Sequence, residues 1–304
     1  MSGNPPADRG RTEAPQGPSG EPFDALLPQD MAAKAEEIGV RKAHLSVISM
    51  FVLGVLAGAF IALGALFATT VTAGAASVMP YGVVKLLAGT VFSLGLILVI
   101  VGGAELFTGN NLIVMAWASR KVSHVLLLRS WAVVYAGNFV GAIGTVMLVY
   151  ASKQYTFGGG SVGAVALATA AAKLQFGWVQ AISLGILCNA LVCLAVWLTL
   201  SARTTTDRIL AIVPPITAFV AAGFEHCVAN MYFVPIGLLI KAGAPEAFWT
   251  SIGSAPADLP MLTWPRFVIH NLLPVTIGNV IGGTVLVGAV YWFVYLRDRQ
   301  LHRP

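Results

Sequence analysis

Residues 103–110 read GAELFTGN and residues 223–230 read GFEHCVAN, so the pattern Gly-x-Glu-x-x-x-small-Asn occurs twice in this chain. Each copy lies in a long apolar stretch, 86–119 or 209–240, in which Glu105 or Glu225 is the only charged residue. A charge inside a membrane is costly, so such residues usually pair with other polar groups or serve a function. The repeated pattern therefore predicts a duplicated polar site within a membrane.

The composition of the chain indicates a protein that crosses the membrane several times. Of its 304 residues, 57% are hydrophobic and only 10% are charged, and the mean hydropathy is +0.80. Each apolar run is long enough for one helical span of about 20 residues, and none shows the alternation of barrel strands. The sequence predicts an all-α membrane protein with six spans, in the runs 43–84, 86–119, 130–152, 174–202, 209–240 and 267–296.

The distribution of Lys and Arg predicts the orientation of the chain. If the N-terminus is inside, most of the 18 basic residues fall on the cytoplasmic side of the membrane. We therefore expect a protein of the inner membrane with both termini in the cytoplasm. The net charge of +5 is then a topology signal, and we expect no nucleic-acid partner. The predicted parts are a disordered cytoplasmic tail (1–28), a short interfacial helix (29–42), one six-helix channel domain (43–297) and a second cytoplasmic tail (298–304). Residues 29–42 are also compatible with a simple charged stop before the first span.

A second repeat indicates how the two glutamate motifs are related. The third span contains GNFVG at 137–141 and the sixth contains GNVIG at 278–282, so spans 1–3 and 4–6 carry the same features in the same order. Three spans in each half place the halves in opposite orientations, which is the inverted repeat common among transporters. We therefore expect Glu105 and Glu225 to approach the middle of the bilayer from opposite sides.

Spans 2 and 5 are predicted to be broken. Span 2 contains FSLGL at 92–96 and two glycines at 102–103, and span 5 contains two prolines at 214–215 followed by AAG at 221–223. Irregular backbone at this depth is tolerated where it lines a cavity, and a half-helix that begins there would present its positive end to an anion. The alternative is that these glycines only allow close helix packing.

Several motifs together resemble one family. The chain resembles the formate/nitrite transporters, and most closely the formate channels, in FSLGLIL (92–98), AELFT (104–108), GNFVGA (137–142), GFEHCVANM (223–231), GSAP (253–256) and PVTIGNVIGG (274–283). The resemblance implies an aquaporin-like six-helix fold, a homopentamer with one pore in each protomer, and no cofactor. It departs from the formate channels after Thr108, where Gly109 is followed by Asn110 and Asn111.

The resemblance also implies roles for particular residues. It makes 92–96 the mid-membrane loop of span 2, Thr108 and His226 the central polar pair, and Lys173 the basic residue of the outer vestibule. The apolar constrictions that flank the polar pair are Phe92 with Phe219 and Leu96 with Leu106. The supporting polar network consists of Glu105, Glu225, Asn189, Asn230 and Asn279.

Some of these roles have alternatives that the sequence leaves open. Glu105 and Glu225 are expected to bond free backbone N–H groups at the two half-helix starts, with direct contact to substrate as the alternative. Lys173 could equally be an ordinary lysine of an exposed loop.

The predicted function is a channel for small monovalent weak-acid anions in the lipid bilayer, with formate favoured and with a proton accompanying the anion through the constrictions. Nitrite and hydrosulfide are the alternatives within the family. An intramembrane enzyme is disfavoured because the spans contain no aspartate and few histidines, and no metal-ligand set is predicted. A pore for neutral solutes is disfavoured because the Asn-Pro-Ala pair of such pores is absent.

Overall fold

The computed structural model describes residues 25–75 and 78–297, and within these ranges it is helical with no strand. The predicted tails therefore lie outside the described residues, except for residues 25–28. A 3₁₀ turn at Gly109–Ile113 precedes the short helix α4. The helices are α1 (Pro28–Ala43), α2 (Val47–Val71), α3 (Tyr81–Gly102), α4 (Val114–Ala118), α5 (His124–Ala151), α6 (Ser161–Lys173), α7 (Trp178–Thr199), α8 (Thr205–Ala221), α9 (Cys227–Gly243), α10 (Glu246–Ile252) and α11 (Trp264–Tyr295).

Five of the described helices are long and apolar enough to cross a membrane, namely α2, α3, α5, α7 and α11. A sixth segment qualifies if α9 and α10, which bend by 116° at a short break, are taken as one. The predicted fifth span, 209–240, is divided between α8 and α9. The all-α membrane class agrees with the prediction, and the number of six spans stays a prediction.

The prediction of a mid-membrane loop at residues 92–96 is wrong, because α3 is continuous through them and ends only at Gly102. Gly95 in this stretch and Gly89, three residues before it, allow close packing instead. A Cβ on Gly89 would lie 2.6 Å from the carbonyl oxygen of Thr217 in α8, and one on Gly95 would lie 3.1 Å from the Cα of Ile61 in α2. The chain leaves the helix at Gly103, whose φ of 78° is in the left-handed region that glycine adopts without strain.

The second helix that leads into a glutamate motif, α8, is also followed by a left-handed glycine. The prolines at 214–215 lie inside α8, which continues to Ala221. The turn comes at Gly223, with φ 73°, and α9 begins at Cys227. The two glutamate motifs thus occupy equivalent places, since each begins at a left-handed glycine that ends a helix.

Small residues let the long helices approach closely. Gly58 and Gly141 lie where α2 meets α5, and a side chain on either would overlap the backbone of the other helix. Gly278 and Gly282 of α11 are packed in the same way against α7. This use of small residues is typical of membrane helices, which gain little from the hydrophobic effect when they associate in lipid. The pairs α2–α5 and α7–α11 hold the two glutamate motifs in place.

Candidate transport pathway

The two non-helical segments that follow α3 and α8 bring a threonine and a histidine into contact. Thr108 Oγ1 lies 3.0 Å from His226 Nε2, although the residues are far apart in sequence. Both side chains are buried. The predicted central polar pair is therefore a close pair in the structure.

The hydrogen bonds of His226 define which ring nitrogen carries its proton. His226 is the N-cap of α9, and its Nδ1 accepts a hydrogen bond from the backbone N–H of Ala229 at 3.0 Å. A neutral imidazole has one donor and one acceptor nitrogen, so Nε2 carries the proton and donates toward Thr108 Oγ1. The threonine hydroxyl is then left with its own proton to donate to a ligand.

Apolar side chains lie close to the polar pair, at the positions where the family resemblance implies two constrictions. On one side the rings of Phe92 and Phe219 meet edge to face with centroids 5.7 Å apart, and the Phe219 ring lies 6.0 Å from that of His226. On the other side Leu96 and Leu106, both buried, line a cavity together with Val99. Buried apolar side chains thus lie close to the Thr108–His226 pair.

Two cavities lie near the polar pair and differ greatly in size. The large cavity, of about 630 Å³, is lined by Phe92, Phe219, His226 and Lys173. The small cavity, of about 50 Å³, is lined by Leu96, Leu106 and residues of α1, including Lys42. Helix α1 thus forms part of the wall of the small cavity.

Each glutamate of the repeated motif forms an ion pair with a lysine. Lys173 Nζ lies 2.6 Å from Glu225 Oε1, and Lys42 Nζ lies 3.0 Å from Glu105 Oε1. Lys173 belongs to the last turn of α6, so the alternative of an exposed loop lysine is wrong. Its side chain is only 14% exposed, against 31% for Lys42.

Asparagine side chains complete the two carboxylate sites. Asn110 Nδ2 donates to Glu105 Oε2 at 2.7 Å, and Asn230 Nδ2 donates to Glu225 Oε2 at 2.7 Å. Asn271 adds a further donor to Glu225 at 3.1 Å. The expectation that the two carboxylates bond free backbone N–H groups is therefore wrong, since their partners are lysine and asparagine side chains.

The backbone of the two motifs is held by a different pair of asparagines. Asn138 Oδ1 accepts from the N–H of Phe107, and Asn279 Oδ1 accepts from the N–H of Cys227, both at 2.9 Å. Each asparagine also donates to the carbonyl of its motif glutamate. These bonds satisfy backbone groups that a helix end would otherwise leave unpaired inside a membrane.

Asn189 connects the segment that ends at Thr108 with α11. Its Nδ2 lies 2.7 Å from the carbonyl oxygen of Asn279, 2.8 Å from Asn111 Oδ1 and 3.3 Å from the carbonyl oxygen of Thr108. An amide group carries two hydrogens, so these three acceptors share two donors. Asn111, at which the chain departs from the formate-channel pattern, is thus part of the network that fixes Thr108.

Sequence reasoning did not assign roles to Lys42, Asn138 and Asn271. Two of these had a signal in the sequence. Lys42 and Lys173 each stand five residues before the first residue of a long helix, α2 or α7, and Asn138 occupies the same place in GNFVG as Asn279 does in GNVIG. Asn271 has no counterpart in the repeat that could have indicated it.

Comparison with known proteins gives consistent matches over most of the chain. A family profile described as Formate/nitrite transporter matches residues 29–293. The formate channel FocA of Escherichia coli (strain K12) is 46% identical over 281 residues, which cover 92% of this chain and 98% of that protein. The formate channel FocA of Haemophilus influenzae is 41% identical over 264 residues, covering 87% and 93%.

A solved structure described as a pentameric formate channel with formate bound also matches. Its TM-score is 0.79 and its sequence identity 47%, and the match covers 83% of this chain and 98% of the solved one. The relatives named here are channels.

Proposed function

The chain belongs to the formate/nitrite transporter family, and on that premise we propose that it is a membrane channel for small monovalent weak-acid anions, with formate as the favoured substrate. Two observations support formate in particular, namely the identity to formate channels and the similarity to a structure that holds formate. The chain is a multi-pass protein of the inner membrane, and we place both termini in the cytoplasm. The pentameric state of the structural neighbour supports a homopentamer with one pathway in each protomer.

One observation carries the proposed mechanism: Thr108 and His226, which are 3.0 Å apart, form a close polar pair with apolar side chains on either side. The neutral imidazole donates to the threonine, and the threonine hydroxyl can donate to a carboxylate oxygen. The first residues of α9 add the positive end of a helix at the same point. An anion is therefore bonded at this pair and has no polar partner at the phenylalanine rings.

An anion has hydrogen-bond donors at Thr108 and none at the phenylalanine rings, and this difference favours passage of the neutral acid. A bare anion in an apolar constriction costs several kcal/mol even after relaxation. Protonating a carboxylate with a reference pKa of about 4 at pH 7 costs roughly 4 kcal/mol. Because the protonated form then crosses the rings without a charge penalty, we propose that formate passes Phe92 and Phe219 together with a proton.

In this account the large cavity is the outer vestibule and the small cavity is the cytoplasmic mouth. The ion pairs Lys173–Glu225, at the vestibule, and Lys42–Glu105, at the cytoplasmic mouth, are structural. Each carboxylate is already bonded to a lysine and to asparagine. Glu105 and Glu225 then hold these lysine and asparagine side chains in place and do not contact the substrate.

A flux panel in proteoliposomes tests the substrate. We expect formate and nitrite both to pass, because a pore with one polar pair has little with which to reject a near-isostere. Acetate should be slower because its methyl group adds bulk at Phe92 and Phe219, and glycerol should not pass faster than it does through protein-free liposomes. If nitrite or hydrosulfide moved at least about tenfold faster than formate, the choice of formate would be wrong, and rapid glycerol flux would contradict the anion channel itself.

A further inference from the structure

Lys85 lies in the wall of the large cavity and has no role in the proposed mechanism. It belongs to α3, on the same face as Ala88 and Phe92, and all three line the cavity. Lys85 lies seven positions before Phe92, which corresponds to about 10 Å along a helix. Lys85 therefore stands on the approach to the phenylalanine constriction, farther from the polar pair.

The charges that line the large cavity nearly cancel at its deep end. Its titratable lining residues are Tyr81, Lys85, Lys173, Glu225 and His226. Glu225 is the only carboxylate among them, and it is bonded to Lys173 at 2.6 Å. The net field of the deep end is thus small, although Lys173 was expected to supply the positive charge of this vestibule.

Lys85 makes no ion pair with any carboxylate in the ranges 25–75 and 78–297. Its Nζ lies 5.4 Å from the centre of the Tyr81 ring, one helical turn earlier on α3. An aromatic face attracts an ammonium group without neutralising it, so it orients the lysine and leaves its charge available. The side chain is half-buried, which places the charge beside the low-dielectric wall of the cavity.

We propose that Lys85 is the residue that concentrates monovalent anions in the outer vestibule, and that Lys173 serves the structure through its pair with Glu225. A cavity lined by one sign of charge focuses the field and raises the local concentration of the opposite ion. The inference rests on the proposed anion channel, and it concerns capture of the anion and not its passage through the constrictions. Lys85 is therefore expected to act at low substrate concentration only.

The test measures initial formate uptake into right-side-out proteoliposomes for wild type, Lys85→Gln, Lys85→Glu and Lys85→Arg. At subsaturating formate and about 0.01 M ionic strength, where the Debye length is about 30 Å, Lys85→Gln should reduce uptake about threefold and Lys85→Glu more. Lys85→Arg should match wild type. At about 1 M ionic strength, where the Debye length is about 3 Å, and at saturating formate, all four should be equal, which also shows that the variants are folded.

Lys153 provides the matched control. It follows α5 at the same end of the molecule, since the neighbouring Gln154 bonds Thr70 while Thr69 and Thr72 line the large cavity. Lys153 itself does not line that cavity, so Lys153→Gln removes the same charge without changing the vestibule. Its uptake should stay close to wild type.

Three results would overturn the inference: equal uptake in Lys85→Gln and wild type at low salt, an equal loss in Lys153→Gln, or a loss in Lys85→Gln that persists at high salt and saturating formate. A failure of the proposed anion channel gives different results from a failure of the proposed role of Lys85. A wild-type protein that moves nitrite and no formate refutes the substrate, and the same variants are then compared with nitrite. A wild-type protein that moves no anion overturns both.

Discussion

The ion pair between Lys173 and Glu225 predicts an unequal response in the two halves of the molecule. We consider Lys173→Met, which removes the ammonium group and keeps an unbranched apolar chain. Glu225 would then be a charged carboxylate with 3% of its side chain exposed and no cation beside it. Its hydrogen bonds from Asn230 and Asn271 would remain.

The loss of stability depends on how deeply each ion pair is buried. Removal of one partner from a buried ion pair costs about 3–5 kcal/mol, and we expect the lower end, about 3 kcal/mol, because two amide donors still bond the carboxylate. The equivalent change in the other half, Lys42→Met, removes a lysine that is 31% exposed. Glu105 is 7% exposed, against 3% for Glu225, and the solvent that reaches Lys42 would also reach the vacated position beside Glu105. We therefore expect a smaller loss there, about 1 kcal/mol.

The assay is unfolding of the purified protein in a titration with a denaturing detergent, analysed as a double-mutant cycle. Lys173→Met combined with Glu225→Gln should recover most of the lost stability. The amide oxygen can accept from Asn230 and Asn271, and the amide nitrogen faces the vacated position of the ammonium group. The reasoning would be refuted if Lys173→Met and Lys42→Met cost the same, or if the double variant were no more stable than Lys173→Met alone.

Two further predictions concern packing and the polar pair. Gly58→Ala should destabilise the protein by several kcal/mol because its Cβ would overlap the backbone of Asn138 in α5, whereas Gly82→Ala, which meets nothing within 4 Å, should be neutral or stabilising in the same titration. His226→Asn should fold and keep measurable formate flux, since asparagine caps helices well and keeps a polar amide beside Thr108, whereas His226→Leu should lose the cap, about 1 kcal/mol, together with the flux. Equal flux in the two His226 variants would show that flux does not require a polar side chain beside Thr108.

The sequence alone predicted the class of fold and the presence of a duplicated polar site. These depend on features that are local in sequence, namely the long apolar runs and the two glutamates within them. The position of the first break was predicted less well, because glycine permits both a turn and close helix packing. Gly103 makes the turn, whereas Gly89 and Gly95 make contacts with other helices that only the tertiary structure defines.

The contacts of the candidate site were likewise not predictable from local sequence. The pair of Thr108 and His226 was identified by family resemblance, since no local pattern connects residues so distant in the chain. The partners of the glutamates could not be derived from the motif, because Lys42 and Lys173 are contributed by α1 and α6, which precede the first long helix of each half. Asn111 looked like a departure from the family pattern, and its bond to Asn189 became apparent only once α7 was placed.

The most direct test of the account is the number of protons that accompany each formate ion. Formate influx into proteoliposomes would be recorded together with the pH of the lumen, and the influx into protein-free liposomes would be subtracted because formic acid itself crosses lipid. Passage as the neutral acid through Phe92 and Phe219 predicts that about one proton enters with each formate ion, and that a membrane potential leaves the rate unchanged. Formate influx that carries charge, responds to the potential and leaves the lumen pH unaltered would contradict the account.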